Sequence, residues 1–169
     1  EMLIGFDNEF FGIDLEEAQA ISPSQRWVLE VGYELLFKGG WNKRTLAGTR
    51  IGTFLGDSGS EWQLIYSKQD RYQLTMNSGF ITCSRLSHTL GLTGPNVTVD
   101  TACSASLVAT NAAAHMMIRR HVKPNEKIAP LTSDNMKDQA QLQYAVCMGI
   151  LCMMHPAGWI GECAATMLS

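Results

Sequence analysis

Residues 97–110, VTVDTACSASLVAT, pass from a β-branched run straight into a stretch rich in alanine and serine. This joint constrains the chain more than any other feature. Valine and threonine in alternation fit a strand, and the alanines from Ala105 to Ala114 fit a helix suited to tight burial. A strand that feeds directly into a helix belongs to a layered α/β architecture.

The joint carries Cys103. A residue just after a buried strand, on the first turn of a helix, lies over unsatisfied backbone N–H groups and the positive end of the helix dipole. That placement favours the thiolate, the nucleophilic form, and the same amides can stabilise a developing oxyanion. Ala102, Ser104, Ala105 and Ser106 are small enough for backbone and substrate to approach closely, and Arg119 and Arg120 complement the far end of the helix. Cys103 is therefore a candidate nucleophile. The competing reading makes it a small buried hydrophobe, where most free cysteines sit.

The remaining elements follow from periodicity and punctuation. FDNEFFGIDLEEA (6–18) reads as an aromatic-rich loop leading into a short acidic turn. Ser22 and Gln25 have capping-box spacing, with Pro23 at the first helical position, and Val28, Val31, Leu35 and Leu36 recur at helical spacing until Gly39-Gly40. Residues 49–56 predict a buried strand, 57–75 are polar and ambiguous, and 78–91 predict a helix closed by the turn GLTGP (91–95). A strand over 96–101 and a helix from Cys103 to about Arg120 come next. A polar connection spans 121–142, a third strand 143–151, and the start of another helix closes the chain.

With 46% hydrophobic and 17% charged residues in 169, the composition is that of one globular domain with a sizeable core. The net charge of −3 and the scattered lysines and arginines argue against nucleic acid or anionic lipid as a partner. No apolar run approaches the roughly 18–20 residues of a membrane span, and no signal or transit segment is visible. The chain begins at Glu1, which leads us to expect a missing upstream piece and, weakly, a cytoplasmic protein. Five cysteines, at 83, 103, 147, 152 and 163, make an odd count without a close pair, which points to free thiols in a reducing compartment. A metal reading of Cys147, Cys152 and His155 fails on geometry, because residues five apart on a strand face opposite sides. No cofactor-binding or metal residue is expected.

VDTACSASLVAT (99–110) resembles the active-site segment of β-ketoacyl synthases, above all the ketosynthase domains of type I polyketide synthases. FDNEFFGI (6–13) looks like their phenylalanine-rich loop, and ISPSQRWVLEVGYELL (21–36) is similar to a helix of the family. RIGTFLG (50–56) looks like the strand that follows it. ITCSRLSHTLGLTGPNVTVDTACSASL (81–107) resembles the family almost without interruption. The resemblance implies a thiolase-like α/β fold, partial here. Residues 1–169 would be a partial β-ketoacyl synthase N-terminal domain, the first half of a layered α-β-α-β-α ketosynthase without its first strand or second half, and paired as a homodimer when whole.

It further implies that Cys103 accepts an acyl group from the phosphopantetheine thiol of an acyl carrier protein, with its own backbone N–H in the oxyanion hole. A malonyl or methylmalonyl thioester would then supply the attacking carbanion, in polyketide or fatty acid biosynthesis. The family's two histidines, in His-Gly-Thr-Gly and Asn-Ile-Gly-His contexts, do not occur in this sequence, nor does its Gly-Phe-Gly-Gly loop. Local histidines are poor substitutes. Along a helix rising about 1.5 Å per residue, His115 and His121 stand roughly 18 and 27 Å from Cys103. His88 and His155 read as structural. CMGIL (147–151) departs from a Gly-Gly-Val-Asn segment of the family. Asp100 reads as a buttress of the joint or a dimer contact, and Arg85 as a structural ion-pair or capping partner.

Other readings stay open at this point. One is a non-catalytic ketosynthase-like partner resembling a chain-length factor, and another is a coenzyme A-dependent condensing enzyme of the thiolase superfamily. A cysteine hydrolase would need a histidine beside the thiol and an acid orienting it, and no such pair is evident.

Overall fold

The computed structural model describes residues 5–65, 79–117, 142 and 144–167. Its centre is strand β1 (Ile51–Ser60), seven of whose ten residues are buried. Strand β2 (Asn96–Val99) pairs with one edge of β1 and β3 (Tyr144–Cys152) with the other, both parallel. A strand covered on both faces and both edges reads as a near-continuous apolar run, and that is why residues 51–55 announce themselves.

The order β2-β1-β3 decides where the helices lie. The chain steps outward from β1 to β2, then back across β1 to β3. Right-handed crossovers in opposite directions put their helices on opposite faces. Helix α6 (Gly79–Leu90), between β1 and β2, shares one face with α3 (Pro23–Lys38), and α7 (Ala105–Met117), between β2 and β3, covers the other. Val28, Leu29, Leu36, Ile51, Leu55, Leu86, Leu90 and Val146 form the core on the α3/α6 side. A smaller cluster of Phe54, Ala109, Ala113 and Leu142 lies under α7.

The N-terminal region departs from expectation. Residues 6–18 are not a loop: they form α1 (Asn8–Phe11) and α2 (Leu15–Ala20), each opened by an aspartate. Asp7 accepts from Phe10 N–H at 2.9 Å and Asp14 from Glu17 N–H at 2.7 Å. Aromatic packing among Phe6, Phe10, Phe11 and Tyr33 ties them to α3. At the start of α3, Ser22 Oγ accepts from Gln25 N–H at 3.4 Å, as its spacing predicts. The covered arc of α3 is Gln25, Val28, Leu29, Gly32 and Leu36, whereas Val31 and Leu35 on its flank are exposed. Leu86 sets that arc, because it packs so closely on Gly32 that any Cβ there would stand 2.8 Å from its methyl.

Two further boundaries move. The ambiguous stretch after residue 56 extends β1 to Ser60, and α5 (Trp62–Ile65) follows, anchored by Trp62 Nε1 donating to Ala20 O at 2.8 Å. Before α5 comes the short α4 (Lys43–Leu46), opened by a capping box on Asn42. The last helix, α8 (Pro156–Ala164), begins at His155, whose Nδ1 accepts from Ala157 N–H at 3.2 Å. The polar connection over 121–142 lies outside the described residues except at Leu142, as do Arg119, Arg120 and His121.

Candidate active site

Val99 is the last residue of β2, in register with Gly56 of β1. Beyond it the chain does not enter an α-helix at Cys103, as the sequence predicts. Ala102–Ser104 form a single 3-10 turn, and the α-helix starts at Ala105. The turn begins with an outlier: Ala102 has φ +52°, a left-handed conformation that costs an L-residue with a side chain. Cys103 follows and is exposed, so the buried-hydrophobe reading fails.

Glycines set the start of α7 against the sheet. A Cβ on Gly56 would fall well inside contact distance of the Ser106 backbone nitrogen, and one on Gly149 would lie 2.5 Å from Ser106 Cβ. Gly56 and Gly149 are partners in register on β1 and β3. Two strands thus present bare backbone to the first turn of the helix, and this seats the cysteine-bearing turn at the carboxyl ends of parallel strands, where ligand sites of such sheets form. It also locates the departure at 147–151. Gly149 stays small where the helix touches, Cys147 joins the cluster under α7, and Met148 and Ile150 pack on the opposite face.

Asp100 bridges the turn to β1. Its Oδ1 accepts from Ala102 N–H at 3.1 Å and from Ser58 Oγ at 2.9 Å. Ser104 Oγ donates to Thr101 O at 2.9 Å, Ser104 N–H to Thr101 O at 3.3 Å, and Ala105 N–H to Ala102 O. Against the start of α6 lies Asp57, which the sequence did not single out. It is 4% exposed, and its Oδ1 accepts from Gly59 N–H at 2.9 Å. Burial pushes its carboxyl above the ordinary range; the Gly59 amide and Thr82 hydroxyl oppose that rise and the negative charge of Asp100 adds to it.

The other cysteines are distinct from Cys103. Cys83 is buried between β1 and β2, with its Sγ 3.6 Å from both Thr53 O and Val97 O. Burial pushes its thiol up, and does the same for Cys147 and Cys152. Cys147 belongs to the cluster under α7, whereas Cys152 lies beside Ser24 of α3, and no group of three metal-ligating side chains exists among the described residues. Cys163 is exposed on α8.

None of the described histidines hydrogen-bonds to Cys103. His88 is exposed on the last turn of α6, His115 lies near the far end of α7, and His155 caps α8. Glu61, another residue the sequence did not mark, accepts from Met154 N–H and His155 N–H, both at 2.7 Å, and these bonds hold its carboxyl below the ordinary range. Arg85 plays the structural part expected of it. Nη1 pairs with Glu17 at 2.7 Å and Nε donates to Gln25 Oε1 at 2.6 Å, joining α2, α3 and α6.

A parallel sheet between helical layers carries an exposed cysteine in a tight turn between strand and buttressed helix, and superposition on solved ketosynthases identifies the fold as thiolase-like. Comparison with known proteins places the chain within that class. It belongs to the β-ketoacyl synthase family, whose N-terminal domain model matches residues 3–123.

Among curated relatives, a 117-residue stretch is 47% identical to a phenolphthiocerol/phthiocerol polyketide synthase of Mycobacterium tuberculosis, covering 67% of this chain and 8% of that protein. Polyketide synthase PksL of Bacillus subtilis is 31% identical over 164 residues, 97% of this chain and 3% of its own length. Among solved structures, the ketosynthase from module 6 of the bacillaene synthase of Bacillus subtilis superposes with a TM-score of 0.72 at 28% identity. That match covers 100% of this chain and 26% of the other. The chain thus spans a small part of each of these polyketide synthases and about a quarter of the solved ketosynthase.

Proposed function

We propose that this chain supplies the acyl-accepting portion of an extending ketosynthase, with Cys103 as the nucleophile. The Cys103 thiolate attacks the thioester of an acyl group carried on the phosphopantetheine arm of an acyl carrier protein. The acyl group moves to Sγ and the carrier thiol leaves with the proton. A malonyl or methylmalonyl thioester then loses carbon dioxide, and the resulting carbanion attacks the Cys103 thioester. Sγ departs as thiolate, and the product is a 3-oxoacyl thioester two backbone carbons longer.

The observation that carries this reading is the exposed thiol that follows left-handed Ala102 in the 3-10 turn at the carboxyl end of the sheet. The neighbouring amides of Ala102, Ser104 and Ala105 are engaged by Asp100, Thr101 and Ala102. The N–H of Cys103 itself is the donor we assign to the oxyanion. The groups that assist decarboxylation belong, in this proposal, to the part of the ketosynthase the chain does not span, and a second copy completes a homodimer.

The test is acylation. The natural polypeptide carrying these residues, incubated with an acyl thioester of a carrier protein, should gain the acyl mass on the peptide containing Cys103. Cys103→Ala should abolish that gain. Acylation at another cysteine, or persistence in the variant, would overturn the assignment.

A further inference from the structure

The turn before Cys103 holds an alanine in a conformation that alanine does not choose. Ala102 sits at φ +52° with a Cβ to accommodate, where glycine would meet no steric penalty. Such a conformation persists only when its surroundings enforce it. Here the enforcement is visible on the N-terminal side. Ala102 N–H donates to Asp100 Oδ1, and the same oxygen accepts from Ser58 Oγ. Ser58 belongs to β1, two residues beyond the glycine against which α7 is seated. Asp100 therefore fastens the turn to the central strand of the sheet.

We propose that Asp100, tethered by Ser58, is the positioning residue for Cys103. By accepting the Ala102 amide it fixes the left-handed conformation, and that conformation sets the direction in which the Cys103 side chain leaves the turn. Asp100 touches no reacting atom in this scheme. It needs to be a well-placed acceptor, and its negative charge is not what matters. The inference rests on the proposed role of Cys103 for its functional meaning, and on the turn geometry alone for its physical content.

Four proteins of equal fold and graded turn restraint test it: the natural polypeptide, Asp100→Asn, Asp100→Ala, and the double variant Asp100→Ala/Ala102→Gly. The amide of Asp100→Asn keeps an oxygen acceptor while removing the charge, so it separates the two roles. In Asp100→Ala the turn relaxes, and Cys103 acylation should slow about tenfold, of the order expected for releasing one residue from the left-handed region, with KM for the acyl thioester little changed. Asp100→Asn should stay close to the natural protein. The double variant should recover about fivefold over Asp100→Ala, because glycine adopts a positive φ without help. A contact with only a structural role would not be rescued by a glycine two residues away.

The second-order rate of iodoacetamide alkylation at Cys103 gives a parallel readout that needs no condensing activity. Comparisons of Asp100→Asn with Asp100→Ala, and of Asp100→Ala with the double variant, are free of charge differences, and the same ordering is expected. If the natural protein takes up no acyl group, the functional reading fails while the alkylation order still judges the positioning role. Should circular dichroism show Asp100→Ala unfolded, Ser58→Ala against Ser58→Thr carries the comparison, with the threonine variant the faster. Equal rates for Asp100→Asn and Asp100→Ala, or a double variant no faster than Asp100→Ala, would overturn the inference.

Discussion

Gly56 and Gly149 show how much can depend on atoms that are absent. A methyl on Gly56 would collide with backbone at Ser106, and backbone cannot swing aside as a side chain can. We expect Gly56→Ala to destabilise the protein by about 2 kcal/mol, read as a lower midpoint in urea. Gly149→Ala meets Ser106 Cβ, an atom the backbone fixes in place, and should be destabilising as well. Asp57 adds a pH dependence. Its folded-state carboxyl binds a proton at higher pH than in the unfolded chain, so its contribution is fully present below the unfolded carboxylate value and lost as pH rises through the folded one. Asp57→Asn should therefore raise the melting temperature near about pH 7 and leave it nearly unchanged near about pH 3, below the ordinary aspartate value. Among the thiols, burial raises Cys83, Cys147 and Cys152 and leaves Cys103 and Cys163 exposed. Limiting iodoacetamide should label Cys103 first and Cys83, Cys147 and Cys152 more slowly, because burial shields them and disfavours their thiolates. Mass spectrometry finding Cys83 or Cys163 ahead would contradict that order.

Helix α6 is held to its neighbours by a charged contact as well as by apolar packing. Arg85 reaches both α2 and α3 through Glu17 and Gln25, with its side chain only 13% exposed. Arg85→Ala should cost about 2 kcal/mol, the usual scale for hydrogen bonds to a charged group in a partly buried site, and thermal melts would show it. At this scale some of the chain was legible and some was not. Ser22, Pro23 and the glycines after Lys38 bracket α3 with residues whose backbone preferences are strong and local, so its limits could be read directly. Asp7 and Asp14 are equally good caps, yet the helices they open are four and six residues long, too short to show a period. Asp57, Ser58 and Ser60 hide the end of β1 because their polarity is satisfied by Gly59, Asp100 and Trp62, contacts that exist only after folding. For the same reason, the cysteine's place at the strand–helix joint could be read from the sequence, but its 3-10 turn and the Ser58 tether could not.

Seen whole, the molecule carries a helix that the described residues leave partly open. Helix α7 is apolar on nearly every side, yet only Ala105, Ala109 and Ala113 are buried, while Leu107 is 72% exposed and Val108, Met116 and Met117 are also open. Helices apolar all round are normally enclosed all round, and exposed apolar patches of this kind mark contact surfaces or aggregation hazards. The 169 residues expressed alone should bind a hydrophobic dye such as ANS strongly and form no 3-oxoacyl product. Weak dye binding with a sharp cooperative melt, or measurable condensation, would argue that the segment is self-sufficient.

The strand order also has a consequence during synthesis on the ribosome. The central strand meets its first neighbour by Val99, but its second begins only at Tyr144, 45 residues later. At about 5–20 residues per second, the growing polypeptide waits roughly 2–9 s with that side of β1 unpaired. Over that interval a nascent chain offers an open row of amides and carbonyls to any passing strand. Slower translation between codons 99 and 144 would prolong that hazard, and faster translation would shorten it.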